Sequence, residues 1–409
     1  MKEKDFLGGR SMALNPENYR EDFPVLEEKA HGEKIVYFDN AATTHTPEQV
    51  LQRVNRFYRE ENSNEGRSLH KLANKATKAY DQSRKVIADF IGAETDEIVF
   101  AKNTTEAVNK AAYGLDIQGK ILAPKMAHHS EQLPWRRKAE REGLEFEFIP
   151  TSNGSLDLDA AKKLIGEDTG LVSIPHVSNV FGCRNPVEEL TEIAHDNNAL
   201  IFVDGAQSVP RMPVDVKDLD IDLMAFSGHK MCGPFGTGAL YGKMNVLEEM
   251  RPYNVGGGMI ESVETDNVEW CEVPNRFEAG TPNIAGAVGF AEAAKYIQDV
   301  GIKKIDNHER RLNKRIVEGL EQVEGLKPYT PEDETPSVVS FTMEEAHPHD
   351  VAEVLNHEGV AVRAGHHCAQ PQVSDLDVSG TVRASPYLYN TENEVDRFLK
   401  AVKEVKKVF

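Results

Sequence analysis

The stretch VRAGHHCAQP, residues 362–371, sets two histidines directly before Cys368. The other cysteines, Cys183, Cys232 and Cys271, are widely spaced and form no C-x-x-C pair, so neither a zinc knuckle nor a dense disulfide framework is expected. Cys368 could therefore be a metal ligand, a buried spectator or a nucleophile. His347, His349, Asp350, His366, His367 and Cys368 fall within 22 positions, 347 to 368, but adjacent residues of an extended segment point to opposite faces and do not readily converge on one ion. Arg363, His366 and His367 would favour a thiolate, and Ala364 and Gly365 suggest a tight loop. The nucleophile is the favoured reading, with no metal.

A second concentration of chemistry is LMAFSGHKMCGPFGTGALY (223–241), where an apolar run ends in Ser227, Gly228, His229 and Lys230. A lysine at a strand end would be partly desolvated, which disfavours its ammonium form and suits it to Schiff-base chemistry. A surface lysine in a turn is the plainer alternative, and its neighbours decide. IFVDGAQS places Asp204 at the end of another apolar run with Gln207 three residues on. A carboxylate there can hold a heteroaromatic nitrogen protonated, although it could equally cap a helix. EIVFAKNTTEAVN runs through Asn103, Thr104 and Thr105 into a helical pattern, either a phosphate site at a helix N-terminus or a capping box without ligand. His128 and His129 follow KILAP, and Asn179 follows GLVSIP. The pair could offer an imidazole face to a flat ring.

These residues need a scaffold that presents strand ends together. From Gln49 to about Gly301, short apolar runs alternate with amphipathic stretches, which predicts an α/β fold, a mainly parallel sheet covered by helices. The expected strands are 97–101, 120–124, 170–175, 199–204 and 222–227; expected helices include 71–92, 105–115 and 187–198. Ligands of such sheets collect at the carboxyl ends of the strands. After Gly301 a charged helix, PSVVSFTM, a further helix, VAVRAG and a last helix from Thr391 to Val408 predict a smaller α+β domain. The expected division is an N-terminal segment, 1–34, packing with the small domain, a large domain, 35–296, and a small domain, 297–409, carrying Cys368.

FDNAATTHTP (38–47), HVSNV, VDGAQS, FSGHK, RFEAGTPN (276–283) and RAGHHCAQP together resemble the fold-type I pyridoxal-phosphate enzymes of aminotransferase class V, and among them the group II cysteine desulfurases. The resemblance runs from residue 38 to the last helix. It implies that Lys230 carries pyridoxal 5'-phosphate and later moves protons, that Asp204 pairs with the pyridinium nitrogen, that Gln207 bonds the phenolic oxygen and that His128 stacks on the ring. It also implies a phosphate site of Thr104, Thr105, Ser227 and His229, joined by Thr281 from the second subunit of a homodimer. Asn179, Arg363 and Arg383 would surround L-cysteine, with Arg383 the carboxylate clamp because guanidinium binds carboxylate in a two-pronged manner. Cys368 would take the sulfur as a persulfide, leaving L-alanine. The implied catalytic set is Lys230, Cys368 and His128, and the implied destination of the sulfur is iron–sulfur cluster assembly, through an acceptor of the SufE or SufU type or a cluster scaffold.

The chain departs from that pattern at Gly66, beside Arg67, and at Ala127, Glu131 and Cys232. A lyase acting on selenocysteine or cysteine sulfinate, and a class V aminotransferase, share most of the same residues. The net charge of -20 repels phosphate backbones and anionic membranes, so nucleic acid and membrane partners are not expected. The N-terminal stretch MKEKDFLGGRSMALNPENY lacks the apolar core of a signal peptide and no apolar run approaches a membrane span, so a cytoplasmic location is the expectation.

Overall fold

The structure is a computed structural model and describes residues 13–66, 69–152, 154–331 and 334–409. Its main sheet has seven strands: β1 (Ile98–Ala101), β2 (Lys120–Pro124), β3 (Phe146–Ile149), β4 (Thr169–Pro175), β5 (Leu200–Asp204), β6 (Leu223–Ser227) and β7 (Gly238–Gly242), in the order β1-β7-β6-β5-β4-β2-β3. All neighbours are parallel except β7, which runs against both β6 and β1. The central strands are apolar on both faces because each face is covered. Ile201 and Val203 of β5 enter one apolar cluster with Val172, Ile174, Met224 and Phe226. Phe202, between them, enters the other with Leu171, Leu223, Ala225 and Trp135. Each fully buried Val, Leu, Ile or Phe in these layers contributes roughly 1.5–3 kcal/mol of transfer free energy.

The register levels the carboxyl ends of the central strands: Asp204 is opposite both Pro175 and Ala225. Two helices begin at the same edge. Thr104–Gly114 follows β1 and His129–Glu142 follows β2, so their amide-rich N-termini open where the strands end. The expected helix over 71–92 stops at Ile91, because Gly92 takes the left-handed conformation (φ 76) that closes a helix. Strand β3 was absent from the expectation, although EFEFI carries its own alternation.

A second sheet of four antiparallel strands comprises, in spatial order, Leu326–Tyr329, Val339–Met343, Thr381–Ala384 and Arg363–Gly365. The segment VAVRAG, expected as one piece, divides. Val360–Ala361 pairs in parallel with Val36–Tyr37, and Arg363–Gly365 joins the four-stranded sheet. The helix Ile284–Val300 runs through residue 297, and the chain turns at Gly301 (φ 97) into the helix Ile302–Glu321. The N-terminal segment touches both parts: Arg20 donates to the Tyr389 carbonyl at 2.7 Å and pairs with Glu394 at 3.0 Å, while Tyr296 donates to Asp22 at 2.8 Å. No helix among the described residues is long and apolar enough to cross a membrane.

Candidate active site

A cavity of about 290 Å³ opens at the carboxyl edge of the main sheet. It is lined by Lys230, Asp204, Gln207, His128, Thr104, Thr105, Asn179, Ser227 and His229, by Arg363 and Arg383 of the second sheet and by Cys368 of the loop that follows the strand Arg363–Gly365. The cofactor and substrate residues that the resemblance implies for one chain all line this cavity; Thr281, implied to come from a second subunit, does not. Thr281 lines a separate cavity of about 250 Å³ with Tyr80, Lys110, Glu278 and Asn283.

Lys230 follows β6 on a short 3-10 turn, Gly228–Lys230. Burial pushes its ammonium down to about 8, against the pull of Asp204, with Arg383 and Arg211 adding repulsion. The Asp204 carboxyl is raised by burial, opposed by the Ala206 N–H, which donates to Oδ1 at 2.8 Å, and by Lys230. His128 is the N-cap of its helix, its Nδ1 accepting from Ser130 N–H at 3.0 Å, which fixes the ring plane. Burial, then Lys230, His129 and Arg383, drive its pKa down to about 3, so it presents a neutral ring.

The Thr104 N–H donates to Ser227 Oγ at 2.8 Å, and the two hydroxyls lie 2.7 Å apart, joining the helix start to β6. Thr105 Oγ1 donates to Ser130 Oγ at 2.7 Å. His229 stacks on Phe235 at 5.7 Å between ring centres, and its carbonyl accepts from Thr43 Oγ1 and Thr44 N–H, both at 3.0 Å.

Several buried polar atoms around the cavity have no protein partner: His229 Nδ1, Gln207 Oε1 and Arg383 Nε. Gln207 spends one Nε2 hydrogen on the Ala41 carbonyl at 2.8 Å, leaving its other amide hydrogen and Oε1. Buried polar groups ordinarily find partners, so these atoms await a polar ligand. A phosphate at the helix start would give the His229 ring a partner, Asp204 and Lys230 would suit a pyridinium nitrogen and an aldehyde, and an amino-acid carboxylate would take the Arg383 Nε–H. The donor set fits pyridoxal phosphate.

At the cavity mouth Asp39 grips Arg363 through three contacts of 3.0–3.2 Å and reaches Arg383 at 3.4 Å. Arg383 also donates to the Asn179 carbonyl at 3.0 Å. Asp39 had no role in the sequence reading; its signal was its place in FDNAATTHTP. Cys368 is exposed, whereas Cys183 and Cys232 are buried and burial pushes both thiols up to about 12. Among the described residues no group of three or more His, Cys, Asp or Glu is placed to hold a metal ion.

The departures divide in the same way. Cys232 is core, its N–H donating to Thr44 Oγ1 at 2.8 Å. Ala127 is buried. Glu131 is fully buried, its Oε1 accepting from Ser173 Oγ at 2.9 Å, and burial together with Asp204 raises its carboxyl well above the usual range. Gly66 takes φ 92 with open space around it, and Arg67 lies outside the described residues.

The family model described as aminotransferase class-V matches residues 36–398. A protein of Halobacterium salinarum named "probable cysteine desulfurase" is 46% identical over 405 residues, covering 97% of this chain and 98% of its own length. The apo structure of a cysteine desulfurase from Thermococcus onnurineus superposes with a TM-score of 0.92 at 43% identity, covering 98% of this chain and 100% of that one. The cysteine desulfurase CsdA from Escherichia coli, crystallised as an S-sulfonic acid, gives a TM-score of 0.89 at 32% identity, covering 97% and 99%. With Lys230 in the lining of this cavity, a donor set that fits the cofactor and near-full-length likeness to these proteins, the chain belongs to the aminotransferase class-V family and, within it, to the pyridoxal-phosphate-dependent cysteine desulfurases.

Proposed function

We propose that this protein converts L-cysteine to L-alanine and moves the sulfur to Cys368 as a persulfide. The observation that carries the reading is that Lys230, Asp204 and the exposed Cys368 line one cavity. When bound, pyridoxal phosphate supplies an electron sink for the α-carbon of an attached amino acid. The chain supplies the rest. Lys230 holds the cofactor and relays a proton at Nζ, because a desolvated amine with a pKa near 8 is useful in both protonation states. Asp204 would keep the ring nitrogen protonated. His128 would lie against the ring, Gln207 would meet its oxygen, and Thr104, Thr105, Ser227 and His229 would hold the phosphate.

The Arg383 guanidinium, buried and with a free Nε–H, takes the substrate carboxylate beside Asn179, and Arg363 stands next to it at the mouth. Cys368 attacks the substrate sulfur. The Cβ–S bond breaks, an S–S bond to Sγ forms and a proton fills Cβ, so the conversion balances without an external oxidant. A homodimer is part of the reading. Thr281 lies away from the main cavity of its own chain, and Phe235, 75% exposed beside His229, gives a second copy an apolar surface to cover. The persulfide would pass to a SufE-type or SufU-type acceptor or a scaffold for iron–sulfur assembly in the cytoplasm.

The test is alanine production from cysteine by the cofactor-loaded protein and by its Cys368→Ala variant. The variant should keep the yellow absorbance of the bound cofactor and lose alanine production. Equal alanine output from the two proteins overturns the persulfide step.

A further inference from the structure

The loop that carries the thiol is under backbone tension. His367 (φ 51) and Cys368 (φ 56) are consecutive non-glycine residues in the left-handed region, a conformation side chains disfavour and surrounding contacts must impose. Those contacts are specific. Asn179 Nδ2 donates to the His367 carbonyl at 2.7 Å, and His367 Nε2 meets Thr381 Oγ1 at 2.8 Å. On the other flank, the His129 N–H donates to the Cys368 carbonyl at 2.6 Å, and His129 Nε2 accepts from the Gln370 N–H at 3.2 Å.

We propose that His129 is a positioning residue for the sulfur-accepting thiol, its main-chain N–H and imidazole Nε2 forming a two-point clamp on the loop at Cys368. The inference rests on the persulfide reading above and adds a residue to it. His129 is the first residue of the helix that His128 caps, so one helix start forms the cavity wall and holds the loop of the sulfur acceptor. A shift of that loop moves Cys368 Sγ relative to a sulfur held in the cavity, and small misplacements of reacting atoms are costly. The acceptor role at Nε2 requires a neutral ring with its hydrogen on Nδ1. Burial and the nearby His366 both lower the pKa of His129, which favours the neutral ring, and the Gln370 N–H at Nε2 sets the hydrogen on Nδ1.

Two substrates separate this role from a general structural one. Cysteine needs Cys368 to take its sulfur. Cysteine sulfinate does not, because its sulfur leaves as sulfur dioxide, hydrated to sulfite, while a proton fills Cβ. In the cofactor-loaded enzyme, His129→Ala should lower kcat/KM for cysteine by about fivefold to tenfold, the effect of one lost hydrogen bond, and leave that for cysteine sulfinate within about twofold of wild type. His129→Gln, whose side-chain carbonyl can accept from Gln370, should restore cysteine turnover. Amide exchange in a peptide spanning residues 366–372 should quicken in His129→Ala and return toward wild type in His129→Gln. Equal losses on both substrates, or no loss on cysteine, overturn the proposal. Should His129→Ala fail to take up cofactor, His129→Phe keeps the ring bulk, lacks the acceptor and is read in the same way. Failure of the underlying function looks different: wild-type protein making no alanine from cysteine, or Cys368→Ala still making it.

Discussion

Asp204 and Lys230 follow one another across the adjacent parallel strands β5 and β6, and each draws the other toward its charged form while burial pushes both toward neutrality. For the lysine, burial wins, leaving its pKa at about 8. Only the neutral amine attacks an aldehyde, so uptake of pyridoxal phosphate by cofactor-free protein should quicken as pH rises and level off above about 8. Asp204→Asn removes the attraction, so the midpoint should move to lower pH. The same variant should lose about 100-fold or more in cysteine turnover, the scale of one deleted electrostatic partner in a buried site. Stopped-flow absorbance across pH reads the first effect and steady-state alanine production the second.

Arg383 is buried and held by the Asn179 carbonyl and Asp39, with Nε left over. Arg383→Lys keeps a positive charge and loses the planar fork. KM for cysteine should rise by about tenfold, the cost of one charge-assisted hydrogen bond, with a smaller change in kcat. A fall in kcat at constant KM would place Arg383 in the chemical step instead.

Arg211 joins the main sheet's loops to the helix Ile302–Glu321 through an ion pair with Glu309, with both side chains buried and Tyr387 under the guanidinium at 5.4 Å. Arg211→Met should destabilise the fold by about 3–5 kcal/mol, because it leaves the buried Glu309 carboxyl without its partner, while Arg211→Met with Glu309→Leu should recover most of that loss. Burial holds the Glu309 carboxyl at about 7, above its usual 4.5. A carboxyl whose folded pKa is raised contributes stability that is complete below the unfolded value and is lost as pH rises through the folded one. Glu309→Gln should therefore show a flatter urea-midpoint profile than wild type between about pH 4.5 and 7.

Glu131 is wholly buried behind the cavity, and burial and Asp204 keep its carboxyl protonated well above the usual range. A neutral amide of the same shape should replace it at little cost. Glu131→Gln should match wild-type stability to within about 1 kcal/mol at neutral pH. By the same linkage it should gain on wild type as pH rises, because wild type alone carries an acid whose ionisation opposes the fold. Thermal melting across pH measures both.

Much of this site was readable in the chain. Ser227, Asp204, Asn179 and His128 follow apolar runs, and the register of a parallel sheet brings such positions to one edge whatever the loop lengths. Asp39 was harder to see, because its partners Arg363 and Arg383 lie 324 and 344 residues away along the chain and no local pattern links them. His129 looked like the second half of a histidine pair; only the approach of the 366–370 loop shows what its Nε2 accepts. Strand β3, at the edge of the sheet, was missed because its alternation is short and partly exposed.

The linear order of residues determined by itself the α/β architecture, the lysine at the end of β6 and the thiol that follows two histidines, since periodicity and residue chemistry are local properties. Only the tertiary structure decided that Cys368 lies at the mouth of the same cavity as Lys230, which carboxylate holds Arg363, and which of the four thiols stays buried. Those outcomes depend on how two separate sheets meet and how much water each side chain loses, and neither quantity is a property of any short segment.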